Sequence, residues 1–204
     1  MNFKPILLVA GEPNSVFLEI FFKASKNIKI KSPLILIASL KVLNLQMNKL
    51  NFNKKIKIIN HKNLYSYKLD NKAINLIDVR YNPTKAFEKI TSKSKNYIEN
   101  CFKTAIEIIN SGYTNKLING PISKKHFLNK RFPGITEYLA DKFKKKKIAM
   151  LIYNKKLSVS TITTHLSIKN VPKNISKKSI IDKVNLINSF YKKFIGINKP
   201  RIGV

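Results

Sequence analysis

Hydrophobic positions in the first sixty residues fall into short unbroken runs separated by longer stretches with helical spacing. Pro5 to Ala10 and Leu34 to Ala38 are continuous apolar segments, and Lys55 to Ile59 is a shorter third one. Runs of this length bounded by turn residues predict strands buried on both faces. Between them, Val16 to Lys26 follows the turn Gly11-Glu12-Pro13-Asn14-Ser15, and Ser39 precedes a helical pattern reaching about Leu50. Ser15 and Ser39 are placed to cap these helices. The β-α-β-α-β rhythm predicts an α/β fold with a largely parallel sheet covered on both sides.

The pattern weakens from His61 to Asn82, where Asn75 to Val79 has the character of one more strand and Asn82-Pro83 marks a turn. A long amphipathic helix is predicted from about Ser92 to Asn110. Ile98, Cys101, Phe102, Ala105, Ile106 and Ile109 recur there at helical spacing, and Gly112 follows as a stop. Lys116 to Ile118 predicts a short strand entering Asn119-Gly120-Pro121-Ile122-Ser123-Lys124, with Ser123 able to cap a short helix to Asn129. Gly134-Ile135-Thr136-Glu137 opens another helix, to about Phe143. Ile148 to Tyr153 and Leu157 to Ile162 read as a hairpin around Asn154-Lys155-Lys156. Ser176 to Phe194 reads as the last helix, and Pro200 to Val204 as the opening of a strand. No repeat or low-complexity linker marks a domain boundary.

Chemistry concentrates where Ser158-Val159-Ser160-Thr161-Ile162 runs into Thr163-Thr164-His165-Leu166. Two hydroxyls and an imidazole then stand at the carboxyl end of a predicted strand, the end at which open α/β sheets bind ligands. Taken alone, this stretch suits a hydrogen-bonded loop better than a ligand site. The six glycines include no pair at the spacing of a dinucleotide fingerprint or a Walker A loop, and no serine-hydrolase elbow. His61, His126 and His165 are far apart in sequence, so no complete metal site can be assembled locally. Cys101 is the only cysteine, which excludes a disulfide framework and agrees with a reducing, cytoplasmic setting. No apolar run is long enough to span a bilayer, and Met1 to Ala10 reads as a first strand and not as a cleaved signal.

The formal charge of +30 raises the question of a nucleic-acid partner. Arginine, the side chain suited to bidentate phosphate contacts, occurs only at Arg80, Arg131 and Arg201. The excess is lysine scattered along a chain rich in asparagine and isoleucine, as an A/T-rich coding sequence would impose on exposed positions. Lys144-Lys145-Lys146-Lys147 is the one dense run, and it closes a helical pattern where cations meet the carbonyl end of the dipole. A lysine-rich nucleic-acid-binding protein therefore remains a third-ranked reading.

Four segments, in their order and spacing, resemble the 4-hydroxythreonine-4-phosphate dehydrogenase family, PdxA. They are Gly11-Glu12-Pro13, Asn119-Gly120-Pro121-Ile122-Ser123-Lys124, Phe132-Pro133-Gly134-Ile135-Thr136-Glu137 and Thr163-Thr164-His165-Leu166. Phe194 to Ile202 is similar to the approach to that family's next motif. The resemblance implies a two-lobed α/β/α subunit like the isocitrate and isopropylmalate dehydrogenases, with a lobe boundary near residues 115–125 and a cleft completed by a second subunit. It implies oxidation, with decarboxylation, of 4-phosphohydroxy-L-threonine on the route to pyridoxal 5'-phosphate, using NAD or NADP and a divalent zinc, magnesium or cobalt ion. Carried over by position, His165 matches a metal-binding histidine, Thr136 a substrate-contacting threonine, and Lys124 a lysine able to balance substrate or cofactor phosphate. Thr136 is equally placed for a plain helix cap, and Lys124 for a solvated lysine. Gly120 and Pro121 shape a turn, and Glu12 orders the first loop or lies near a helix start.

Three departures from the family pattern stand out. Ile135 replaces a histidine, removing a proton carrier. Ser15, Phe17 and Leu18 stand where the family has glycine, glycine and proline, which obstructs close approach of a ligand to the first loop. The chain stops at Val204, before the family segment that carries the second metal-binding histidine, the third lying further on. The expectation is a piece of a longer coding sequence, inactive by itself, because one imidazole does not make a metal site. A diverged dehydrogenase with an altered substrate or lost activity is the alternative.

Overall fold

The computed structural model describes residues 3–129 and 131–204. The chain divides into two compact units, Met1–Lys130 and Arg131–Val204. In the first, β1 (Ile6–Val9), β2 (Leu34–Ala38), β3 (Ile56–Ile58), β4 (Ile74–Asp78) and β5 (Leu117–Asn119) form a sheet in the order β3-β4-β2-β1-β5. Every neighbouring pair is parallel, with Leu8 opposite Leu36 and Ile118, and Leu36 opposite Leu76.

Side chains alternate between the two faces of a strand. Leu8, Ala10, Leu36, Ala38, Ile74 and Leu76 therefore share one face, packed with Leu18, Phe21 and Phe22 of α1 (Phe17–Asn27) and Val42, Leu43 and Met47 of α2 (Leu40–Lys49). Leu7, Val9, Ile35 and Ile37 line the other face, which α3 (Lys95–Asn110) covers with buried Ile98, Cys101, Phe102 and Ala105. Burial on both faces is why the strands read as unbroken apolar runs. Full burial of one such leucine or isoleucine contributes about 1.5–3 kcal/mol.

The expected cap at Ser15 is not made, since α1 has Val16 at its N-cap without a side-chain cap bond and Ser15 Oγ accepts only from the Phe17 N–H, whereas the cap at Ser39 is made. Ser39 Oγ accepts from the Val42 N–H, while Asp78 Oδ1 accepts from the Leu40 N–H at 2.7 Å and so fixes the start of α2 from a neighbouring strand. The predicted helix from Ser92 begins as a single 3-10 turn, Ser92–Ser94, in which Thr91 Oγ1 accepts from Lys93 N–H; the α-helix proper starts at Lys95. Ser123 does cap a short turn, Lys124–Leu128, by accepting from the His126 N–H.

The second unit contains α4 (Ile135–Lys142), an antiparallel pair β6 (Leu151–Ile152) and β7 (Val159–Ser160), and α5 (Lys177–Phe190). Both hairpin strands are shorter than their apolar runs suggest. A two-stranded ribbon with no third strand has little to hold its ends together. Pro200 to Val204 forms no strand, since it finds no ladder partner among the described residues. α5 opens with a reciprocal Ser176–Ser179 capping box, and Gly196, with φ of 82°, ends the turn that follows it. Among the described residues of this unit only Gly134 and Tyr138 are buried, and Ile181, Leu186, Phe190 and Phe194 stay exposed. No helix among the described residues is long and apolar enough to cross a membrane.

Burial pushes the Cys101 thiol from 9.0 up to about 12. The unfolded chain then loses this proton first as pH rises, so the associated stability is complete below about pH 9 and is lost progressively toward pH 12. In urea titrations the wild-type chain is expected to lose stability between about pH 9 and 10 more steeply than Cys101→Ala, by at most about 1.4 kcal/mol per pH unit. Equal slopes would show that the thiol is not the titrating group.

Candidate functional site

At the carboxyl end of the first unit's sheet, the loops after β1 and β5 are joined backbone to backbone. Gly120 N–H donates to Val9 O at 2.7 Å, and Glu12 N–H donates to Pro121 O at 2.8 Å. A Cβ on Gly11 would overlap the Pro121 carbonyl oxygen, and one on Gly120 would overlap the Ala10 carbonyl oxygen. Gly11 also has φ of 72°, which side chains rarely adopt. The Phe17 ring lies 2.7 Å from the position a Gly120 Cβ would take, so this aromatic occupies space beside the β5 loop.

Glu12 is 2% exposed, and its Oε2 accepts from Ser94 Oγ–H at 2.7 Å. That bond ties the first loop to the turn preceding α3. Asn14 extends the tie, its Oδ1 accepting from the Glu88 N–H at 3.0 Å. The Tyr81 hydroxyl is pushed above its ordinary range by burial, and further by the Glu12 and Glu88 carboxylates. Burial raises Tyr97 well above its usual value; its hydroxyl oxygen accepts from the Ser39 N–H at 3.2 Å. Hydrogen bonds from Thr84 hold the half-buried Glu88 below the usual carboxylate range. The edge is a neutral-phenol, fixed-carboxylate surface, rigid but with no cation beside Glu12 at bonding distance among the described residues. Lys124 sits on the turn after β5 with an exposed side chain.

In the second unit, the start of α4 meets the polar tip predicted at residues 163–165. Thr164 Oγ1–H donates to Glu137 Oε1 at 3.1 Å. His165 is exposed, with φ of 55°, and its Nε2 lies 2.8 Å from where a Gly134 Cβ would stand. Thr136, the second residue of α4, is half-buried, and its hydroxyl makes no hydrogen bond within the described residues. A short polar side chain in the first turn of a helix is placed where an anion is favoured. Ile135, the residue at which the family pattern has histidine, is the first residue of the same helix.

No group of three or more histidine, cysteine, aspartate or glutamate side chains converges among the described residues. The exposed His165 imidazole lies at the α4 start near the Glu137 carboxylate, two donors of types that zinc or cobalt can accept but too few by themselves for a metal site.

Residues 29–204 match the family described as pyridoxal phosphate biosynthetic protein PdxA. The chain belongs to the PdxA family. A PdxA-family relative, the 4-hydroxythreonine-4-phosphate dehydrogenase of Sulfurihydrogenibium sp., is 39% identical over 133 residues, covering 64% of this chain and 40% of the relative. The D-threonate 4-phosphate dehydrogenase of Salmonella typhimurium is 26% identical over 210 residues, covering 100% of this chain and 63% of that protein. The fold matches the crystal structure of a 4-hydroxythreonine-4-phosphate dehydrogenase from Burkholderia phymatum, with a TM-score of 0.84 at 22% identity, over 98% of this chain and 62% of that one. In each case this PdxA-family chain spans less than two thirds of the protein it matches.

The structure brings Thr136 and His165 into one unit, at the α4 start, and carries Lys124 in the other. Glu137 is the residue that pattern reading passed over as a site. It was visible only as an acidic residue in a helix's first turn, a common and uninformative place for one.

The two close-packed glycines are expected to differ in cost. Gly120→Ala drives a methyl into backbone and is expected to lower stability by about 3 kcal/mol. Gly134→Ala meets only the ends of two side chains and is expected to cost under about 1 kcal/mol. Chemical denaturation of both variants checks this, and equal losses would contradict the interlocked-loop geometry.

Proposed function

We propose that this chain is part of an NAD- or NADP-dependent dehydrogenase that oxidises 4-phosphohydroxy-L-threonine in pyridoxal 5'-phosphate biosynthesis. The observation that carries the reading is the PdxA match across residues 29–204, together with a half-buried Thr136 and an exposed His165 at the two polar segments meeting at α4. In this reading the substrate alcohol loses a hydride to the nicotinamide and a proton to a base. The resulting β-keto acid then loses carbon dioxide. A bound divalent ion would supply polarisation of the alcohol and of the developing enolate.

The chain's own residues take limited, nameable parts. His165 offers an exposed imidazole as one metal ligand. Thr136, in the first turn of α4, offers a hydroxyl and a helix N-terminus to an anionic group of the substrate. Lys124 offers an exposed ammonium to a phosphate. A homodimer belongs to the proposal, supported by the exposed apolar residues Ile181, Leu186, Phe190 and Phe194 of the second unit.

A second reading has a specific observation behind it. Ile135 cannot donate or carry a proton where the family pattern places an imidazole, which favours a related phosphorylated hydroxy acid as substrate. The full-chain likeness to a protein named D-threonate 4-phosphate dehydrogenase supports that alternative.

The chain extended to its relatives' full length is expected to reduce NAD or NADP with 4-phosphohydroxy-L-threonine and a divalent metal. His165→Ala is expected to lower kcat/KM by about a thousandfold and Thr136→Val by about tenfold. Turnover of 4-phospho-D-threonate in preference would select the second reading. Failure of the folded, metal-loaded protein with both substrates would overturn the dehydrogenase assignment.

A further inference from the structure

The Glu137 carboxylate is held by one oxygen only. Its Oε1 accepts from Thr164 Oγ1–H at 3.1 Å, while Oε2 is buried and accepts no hydrogen bond among the described residues. An acceptor withdrawn from water without a donor is costly, so a donor within reach of that atom is expected. Oε2 lies 2.9 Å, and His165 Nε2 2.8 Å, from the point where a Gly134 Cβ would stand; the ring carbon Cδ2 is 3.5 Å from it. The Nε2 edge of the imidazole and the unpartnered oxygen therefore flank one small gap, with no hydrogen bond or ion pair formed between them in the structure. Gly134 has φ of −159°, which any residue adopts, so what the glycine contributes here is the space of its missing methyl and not its backbone. His165, by contrast, sits in the left-handed region at φ of 55°, at some conformational expense.

We infer that Glu137 is a positioning residue for His165: its Oε2 takes the Nε2–H of the imidazole across the gap that Gly134 leaves, and Nδ1 becomes the nitrogen open to a ligand. The inference rests on the reading of His165 as a ligand only for its functional meaning. Thr164 anchors the carboxylate by its other oxygen, so the accepting atom keeps a fixed place. An acceptor on one ring nitrogen selects the tautomer and raises the donor strength of the other. The competing use of Oε2 is the reciprocal half of a capping box, in which the third residue of a helix reaches back to the N-cap N–H, here that of Gly134.

Nitrogen-15 NMR of the histidine rings separates these uses. It is recorded on the 204-residue chain with imidazoles neutral, His165 being assigned by its disappearance in His165→Gln. The expected result is the Nε2–H tautomer for His165 in the wild type, at least about fivefold over the other, and loss of that preference in Glu137→Ala. Glu137→Gln keeps side-chain size and an oxygen for Thr164, and it carries the test if the alanine variant fails to fold; its Nε2–H preference is also expected to fall. A tautomer ratio unchanged in every folded Glu137 variant, as the capping box would give, overturns the inference. An Nδ1–H majority in the wild type overturns it as well. Cobalt(II) binding by wild type and His165→Gln reports separately on the ligand role: equal affinities would remove that role while leaving the tautomer result to stand or fall alone.

Discussion

The loops after β1 and β5 share a space that admits backbone and nothing more. Gly120 N–H donates to Val9 O at the end of β1 and Glu12 N–H to Pro121 O, and a methyl on Gly11 or Gly120 would overlap a carbonyl oxygen of the facing loop. This fixes the carboxyl edge of the parallel sheet, because β1 and β5 are neighbours in it and cannot shift in register without breaking both bonds. From that lock the rest of the edge follows. Glu12 is carried into the interior, where Ser94 meets it, and the turn preceding α3 is drawn onto the first loop. α3 in turn seals the sheet face that α1 and α2 leave open.

The edge also carries Phe17 and Leu18, at positions where the resemblance of motifs implies glycine and proline. Phe17 places an aromatic ring beside Gly120, where the family has a glycine. Leu18, standing in place of a proline, is buried in the core with Phe21 and Phe22. Both side chains belong to the packed apolar structure of the first unit. In the second unit the balance is reversed. The α4 start carries Thr136, Glu137 and the nearby His165, with Glu137 bonded to Thr164.

Most of the first unit was legible because its strands are buried on both faces and its helices carry one apolar stripe. Leu34 to Ala38 and the stripe through Ile98, Cys101, Phe102 and Ala105 announce themselves by run length and period. The sheet order was not legible. β4 inserts between β3 and β2, and its Asn75 is buried, with its amide donating to Leu34 O and Asp70 O, a long-range satisfaction that no local pattern encodes. The Pro200 to Val204 strand failed for a related reason: apolar alternation marks a segment able to pair but supplies no partner. At the site, His165, Thr136 and Lys124 came from a resemblance of short motifs. Glu137 did not, since its role depends on one oxygen left over in three dimensions.

Native-state hydrogen exchange at the Glu12 and Gly120 amides tests the interlocked edge most directly. Both N–H groups belong to loops, which ordinarily exchange through small local openings. If the two loops form one rigid unit with β1 and β5, these amides exchange only when the first unit unfolds, with protection matching that of Leu8 and Leu36. Exchange of either amide at the rate of an exposed loop would contradict the account.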